Sequence, residues 1–262
     1  MKTQRSHRRL PRTLTKANDE TLRHRLKRAI AMVLLGLLVG ATSTVEAERN
    51  PNPGVLPVGS TAFGQTLPEW TAASQKYFME QPLDSPSLEP GCFELAGHVW
   101  VLAGGPFGQV LTVECAIPPG KALLVPVIAN ECSSVETPDS GFHGDTAAEQ
   151  AACAKFWSDH IVDVSVEIDG VPVNDIASYR VVSPQFAFTA PTPWIFGEIG
   201  GEGTSVSDGY FLMLTPRSKG VHTIHIRGAF RFSVVEGDPF DFFAPAAATF
   251  RLTVGPLPKG NK

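Results

Sequence analysis

Between Asn130 and Asp145 the chain sets out eight side chains with oxygen or imidazole chemistry: Asn130, Glu131, Ser133, Ser134, Glu136, Asp139, His143 and Asp145. Oxygen donors on a flexible loop suit a hard cation, and Ca²⁺ takes roughly six to eight of them. The candidate ligands are Glu131, Glu136, Asp139 and Asp145, although their spacing is not that of an EF-hand. An acidic exposed loop more commonly only holds water, so the expectation is no cofactor, with Ca²⁺ as the alternative. Glu202 and Asp208 form a second carboxylate pair. They would serve as acid and base on a glycosidic bond if the fold set their carboxyls at the required separation. The plainer reading of Asp208-Gly209 is a turn.

The histidines beyond residue 47 are His98, His143, His160, His222 and His225. His222 and His225 are three apart on a β-type segment, so they leave opposite faces and cannot chelate one metal together. His222 shares parity with Ile224 and Ile226, which gives it a half-buried, hydrogen-bonded place; His225 goes with Thr223 and Arg227 toward solvent. HExxH, GxSxG, SxxK and Walker-type spacings are missing. The glycines of Gly197 to Gly203 neither follow a strand nor open a helix, which argues against a phosphate loop.

The elements that must position these groups are mostly strands. Two helices are expected, Thr66 to Gln81 and Thr146 to His160, each opened by a capping-box pair, Thr66/Glu69 and Thr146/Glu149. The first would present Trp70, Ala73, Ser74, Tyr77 and Phe78 on one face, the second Ala152, Cys153, Phe156 and Trp157. Strand signals run through His98 to Leu102, Val110 to Ala116 and Leu123 to Ile128, where Pro126 marks an edge strand or a bulge. Val162, Val164, Val166 and Ile168 alternate with polar residues, giving one dry and one wet face. Asp169-Gly170 then forms a two-residue hairpin turn. Further strands cover Tyr179 to Val182, Gln185 to Thr189, Tyr210 to Leu214, Val221 to Arg227, Phe230 to Val235 and Thr249 to Val254. Many short strands between turn signals indicate a mainly β chain, an antiparallel β-sandwich of jelly-roll or immunoglobulin-like type with two short helices packed on it.

Residues 1 to 47 read as a separate object. Ten Lys or Arg precede an uncharged apolar run from Ala29 to Val45, and Val45-Glu46-Ala47 offers small residues for cleavage. This is a signal-peptide pattern, with an uncleaved membrane anchor as the alternative. Residues 48 to 65 read as a Pro/Gly-rich linker, 66 to 255 as one domain and 256 to 262 as a tail. The chain has 22 basic and 26 acidic residues; the leader takes 10 and 3, leaving 12 and 23, near −11. The remaining basic residues form no stripe, which excludes nucleic acid as a natural partner. A net acidic surface attracts cationic ligands. Secretion or a periplasmic location follows from the leader, with no stable membrane span once it is cut.

Cys92, Cys115, Cys132 and Cys153 are an even set behind an export signal, which favours disulfides. Of the three possible pairings, Cys92–Cys115 and Cys132–Cys153 close the short loops.

The runs Gly91-Cys92, Val99-Trp100-Val101-Leu102-Ala103-Gly104, Cys115-Ala116-Ile117-Pro118-Pro119-Gly120-Lys121-Ala122-Leu123 and Pro126-Val127-Ile128-Ala129-Asn130-Glu131-Cys132 together resemble a family of exported bacterial β-sandwich proteins. Asp169-Gly170, Asp208-Gly209-Tyr210 and Gly220-Val221-His222-Thr223-Ile224 fit the same pattern, over roughly Thr66 to Val254. The resemblance implies an exported sandwich and brings no activity, substrate or catalytic residue with it.

Two functional readings follow. The first is a non-catalytic module binding a carbohydrate, a surface polymer or a protein, using Asn130, Glu131, Asp208, Tyr210 and His222 with the aromatic residues Trp70, Trp157 and Trp194. The second is a secreted carboxylate- or metal-dependent hydrolase near Glu131, Asp208 and His222. A cleft that gathers carboxylates would favour the second, and a flat aromatic strip the first.

Overall fold

The structure, a computed structural model, describes residues 50–256 apart from 53, 106 and 107. The expected leader therefore lies outside the described residues, as does most of the expected tail. The described chain is mainly β: a short hairpin, β1 (Thr61–Ala62) and β2 (Gln65–Thr66), then helix α1 (Leu67–Met79), β3 (Gly91–Ala96), β4 (Val99–Ala103), β5 (Val110–Ile117) and β6 (Ala122–Ser133). Helix α2 (Ala147–Ser158) precedes β7 (Ile161–Ile168), β8 (Val171–Pro172), β9 (Arg180–Val182) and β10 (Phe186–Ala190). Three long strands close the fold: β11 (Gly201–Leu214), β12 (Gly220–Phe232) and β13 (Phe242–Val254).

Two sheets face each other. One runs β10-β11-β6-β4-β3, with β9 also on β11; the other runs β5-β13-β12-β7-β8. Leu102, Leu123, Val125 and Leu212 of the first sheet meet Ile224, Ile226, Phe250 and Leu252 of the second in the main core. A second core lies on the outer face of the first sheet, where Leu67 and Trp70 of α1 cover Val99, Val101, Leu124 and Phe211. Burial on both faces explains why β4 and β6 read as nearly continuous apolar runs rather than alternating ones.

Most pairings are antiparallel, but β4–β6 and β5–β13 run parallel, a departure from the purely antiparallel sheets the sequence suggests. The cause is topological: β5 crosses to the opposite sheet, so the returning β6 lies beside β4 in the same direction. Pro126 sits in a central strand, and the ladder absorbs it as a bulge: Ile128 pairs with Tyr210 while Pro126 pairs with Phe211. Asp208-Gly209 is not a turn. Both residues lie inside β11, opposite Asn130 and Ala129. Val221 to Val235 holds one strand with an irregularity between Arg227 and Ala229 instead of two strands. The Asp169-Gly170 turn is as expected, with φ of 52° and 79°.

Both disulfides form as the loop lengths suggest. Cys92–Cys115 joins the edge strands β3 and β5, stitching the two sheets together, and Cys132–Cys153 ties α2 to the end of β6. Both capping boxes are present. The buried stripe of α2 is Gln150, Ala154 and Ser158, whereas Ala152 and Phe156 are exposed. Ahead of β1 the chain lies on the domain at Val55 and Leu56: Val55 is buried in the main core and the Leu56 amide donates to the Met213 carbonyl. Among the described residues, no helix is long and apolar enough to cross a membrane.

Candidate functional site

At one end of the sandwich, α2 bridges the two sheets. Its polar stripe binds the first. Gln150 Nε2 donates to the Gly144 carbonyl at 2.9 Å and to the Thr204 carbonyl at 3.0 Å, and Ser158 Oγ donates to the Asp208 carbonyl at 2.8 Å. Asn130 Nδ2 donates to Ser158 Oγ at 2.6 Å and to the Ala154 carbonyl at 3.1 Å. Toward the second sheet, α2 offers Trp157, whose ring stands edge-on to Phe232 at 5.0 Å and to Phe230 at 6.4 Å. Phe142 stacks on Trp157 at 4.3 Å, and Trp157 Nε1 donates to the Gly141 carbonyl at 2.9 Å. The Cys132–Cys153 bridge holds this helix against β6.

The bridge leaves a cavity of about 380 Å³. Its walls are Phe142, Trp157, Phe196, Phe230 and Phe242, from a loop, α2, the 191–200 segment, β12 and β13. Its polar lining is Asn130 and Glu131 of β6 and Glu136 of the following loop. Glu131 is only 6% exposed. Loss of water pushes its carboxyl up to about 8; a hydrogen bond from Ser205 opposes the shift, and the charge of Glu136 adds to it. Ser205 Oγ donates to Glu131 Oε2 at 2.5 Å, the one hydrogen bond the carboxyl receives among the described residues. Glu136 is also raised by burial, against a hydrogen bond from Ser140 and the pull of His143. His143 Nδ1 sits 2.6 Å from the Glu136 carbonyl oxygen. Asn130 commits its amide nitrogen to α2, and its Oδ1 is buried without a hydrogen-bond partner.

The other sequence candidates fall elsewhere. Asp208, 1% exposed, is held at two points by Arg180: Nε to Oδ1 at 2.9 Å and Nη2 to Oδ2 at 2.7 Å. Arg180 also reaches Asp159 Oδ1 at 2.8 Å, and these carboxylates raise its own pKa. Asp208 is thus a strut. Glu202, its proposed partner, lies six residues along the same strand, about 20 Å away at strand rise, and cannot share a scissile bond with it. Tyr210 packs against the main core. His222 is locked between Asp169 Oδ2 at 2.9 Å and the Ser218 carbonyl at 2.9 Å. It lies eight residues along β12 from Phe230, about 27 Å.

Of the four calcium candidates, Glu131 and Glu136 reach the pocket, while Asp139 and Asp145 are exposed on the loop. Among the described residues, no three His, Cys, Asp or Glu side chains gather as a metal site. Of the three candidate tryptophans only Trp157 lines this pocket; Trp70 and Trp194 are buried, at 2% and 3%. Trp70 packs under α1 because the first sheet needs covering on its outer face, and Trp194 packs with Phe188. The phenylalanine walls escape sequence reading, because they come from four separated segments. The one sequence hint is the density of phenylalanine from Phe230 to Phe243.

No family model, curated protein or solved structure matches the chain. What the site does must therefore be argued from its own geometry.

Proposed function

We propose that this protein is an exported, non-catalytic binding module that takes a small, largely apolar ligand carrying one polar group into the pocket under α2. The observation that carries this reading is the lining itself: five aromatic side chains around Asn130, Glu131 and Glu136. Binding sites are concave and mostly apolar, with a few placed polar groups that orient the ligand. The net acidic chain behind the basic leader and the two disulfides support export. The β12–β13 connection exposes Val234 and Val235, and the start of β13 exposes Phe243.

The competing reading is a hydrolase with Glu131 as general acid, favoured by one observation: two residues whose carboxyls are raised, Glu131 and Glu136, line a single cavity. Screening the protein against small amphiphiles, glycans and esters, with melting temperature and turnover both recorded, separates the two. The binding reading expects stabilising ligands without turnover, and their loss in Phe196→Ala and Phe242→Ala, whose rings are half exposed (50% and 43%). Turnover that vanishes in Glu131→Gln would replace it with the hydrolase.

A further inference from the structure

We infer that His160 and His143 form a pH-operated clasp on the walls of this pocket, closed while both ring nitrogens of each carry a proton and loosened as pH rises. One arrangement occurs at both rings. His160 Nδ1 sits 2.7 Å from the Phe156 carbonyl oxygen, and its Nε2 sits 2.8 Å from Asp238 Oδ1. His143 Nδ1 sits 2.6 Å from the Glu136 carbonyl oxygen, and its Nε2 sits 3.2 Å from Asp145 Oδ1. Carbonyls and carboxylates only accept hydrogen bonds, and a neutral imidazole has a single N–H to donate. Both contacts of each ring are therefore satisfied in the imidazolium alone, and a neutral ring must give one of them up. His225 differs, because its Nδ1 meets the Thr249 hydroxyl at 2.8 Å, which can donate or accept as the ring requires.

The two rings join the segments that wall the pocket. The Phe156 carbonyl belongs to the last turn of α2, where a positive charge is favoured. Asp238 belongs to the β12–β13 connection, which leads into the pocket wall at Phe242. The His160 ring also stacks on Phe232 at 3.9 Å, a contact that a positive ring strengthens. His143 closes the loop that carries Phe142 and the Gly141 carbonyl, both of which hold Trp157. The charged groups on the elements packed around His160 are Asp238, Arg231 and Glu236 of β12 and its connection, and Lys155 and Asp159 at the end of α2. Around His143 they are Glu136 and Asp145 of the loop and Glu149 of α2. The closed clasp holds more protons than the open one, so closure weakens as pH climbs. Histidine is the side chain that changes charge between about pH 5 and 8. His160 is the stronger half: its side chain and that of Asp238 are 20% and 16% exposed, whereas Asp145 is 79% exposed and screened by solvent. A ligand in the pocket would then be held harder in acid; that consequence alone rests on the binding reading.

The test needs no ligand. The Trp157 indole proton, bound to the Gly141 carbonyl, exchanges with solvent when the clasp opens, and NMR hydrogen exchange gives its protection factor at pH 5 and pH 8. The wild type should lose protection over that interval, and His143→Gln/His160→Gln should lose about tenfold less. Each single variant should show part of the difference, and His225→Gln should match the wild type. Protection that is constant with pH in the wild type, or that falls equally in the wild type and the histidine variants, would overturn the clasp. A ligand screen without a stabilising compound would instead overturn the binding reading and leave the clasp standing.

Discussion

Ser205 of β11 and Glu131 of β6 are diagonal neighbours across an antiparallel ladder, Ser207 standing opposite Glu131 and Ser205 opposite Ser133, and the serine hydroxyl donates to Glu131 Oε2 at 2.5 Å. One hydrogen bond does not replace the water a carboxylate loses on burial, so the acid holds its proton. Folded Glu131 sits at about 8 against an ordinary 4.5. Between those values the folded protein keeps a proton that the unfolded chain has given up. Stability from this group is thus full below pH 4.5 and falls as pH rises to about 8, by on the order of 5 kcal/mol. Glu131→Gln, which cannot ionise, should gain on the wild type as pH rises through that window. Urea midpoints at pH 5 and pH 8 measure it, and an identical pH slope in both proteins would contradict it.

Arg180 and Asp208 predict an asymmetric mutational pair. Arg180→Met leaves a 1%-exposed carboxylate without its two-point partner and should cost about 3–5 kcal/mol. Asp208→Asn should cost less, because Arg180 is partly exposed and keeps Asp159. Denaturant unfolding of both variants decides the order, and equal costs would remove the strut role from Asp208.

The disulfides should separate by function. Each closes a loop of just over 20 residues and stabilises by about 3 kcal/mol through the unfolded chain. Cys132–Cys153 also fixes the helix that carries Trp157, whereas Cys92–Cys115 fixes the far edge of the sandwich. The double variant Cys132→Ala/Cys153→Ala should therefore lose ligand affinity as well as melting temperature, and Cys92→Ala/Cys115→Ala melting temperature alone. Equal affinity losses would mean that α2 does not depend on its bridge.

Gly209 offers a steric test. A Cβ there would come within 2.5 Å of the Ala129 Cα and 2.6 Å of the Ile128 carbonyl oxygen, backbone atoms that cannot swing aside. Gly209→Ala should cost about 3 kcal/mol or more by forcing β11 from β6. An unfolding midpoint within error of the wild type would show that the two strands are not paired as described.

The legible parts of the fold were those with a local cause. Thr66/Glu69 and Thr146/Glu149 start their helices as a capping box dictates, and the cysteine spacing selects the bridges. Glu131 and Glu136 are legible as acids within the polar run from Asn130 to Asp145. What depended on distant partners was illegible. Gln150 and Ser158 look like the wet face of α2, yet they are buried because Thr204 and Asp208 offer carbonyls to bind. Asp208-Gly209 imitates a turn until Arg180, 28 residues earlier, neutralises the acid inside a strand. The pocket walls are non-local in the same way, since Phe142 and Phe242 meet only through Trp157.

The proposed ligand occupies the pocket beneath α2 that Trp157, Phe196 and Glu131 line. The most direct test of that placement is an NMR titration that follows the Glu131 carboxyl carbon and the Trp157 indole while the best compound from the screen is added. The account predicts saturating shifts at Glu131, Trp157 and Phe196, with Asp208 and His222 unmoved. Saturation at His222 or Asp208 with Glu131 silent would contradict it.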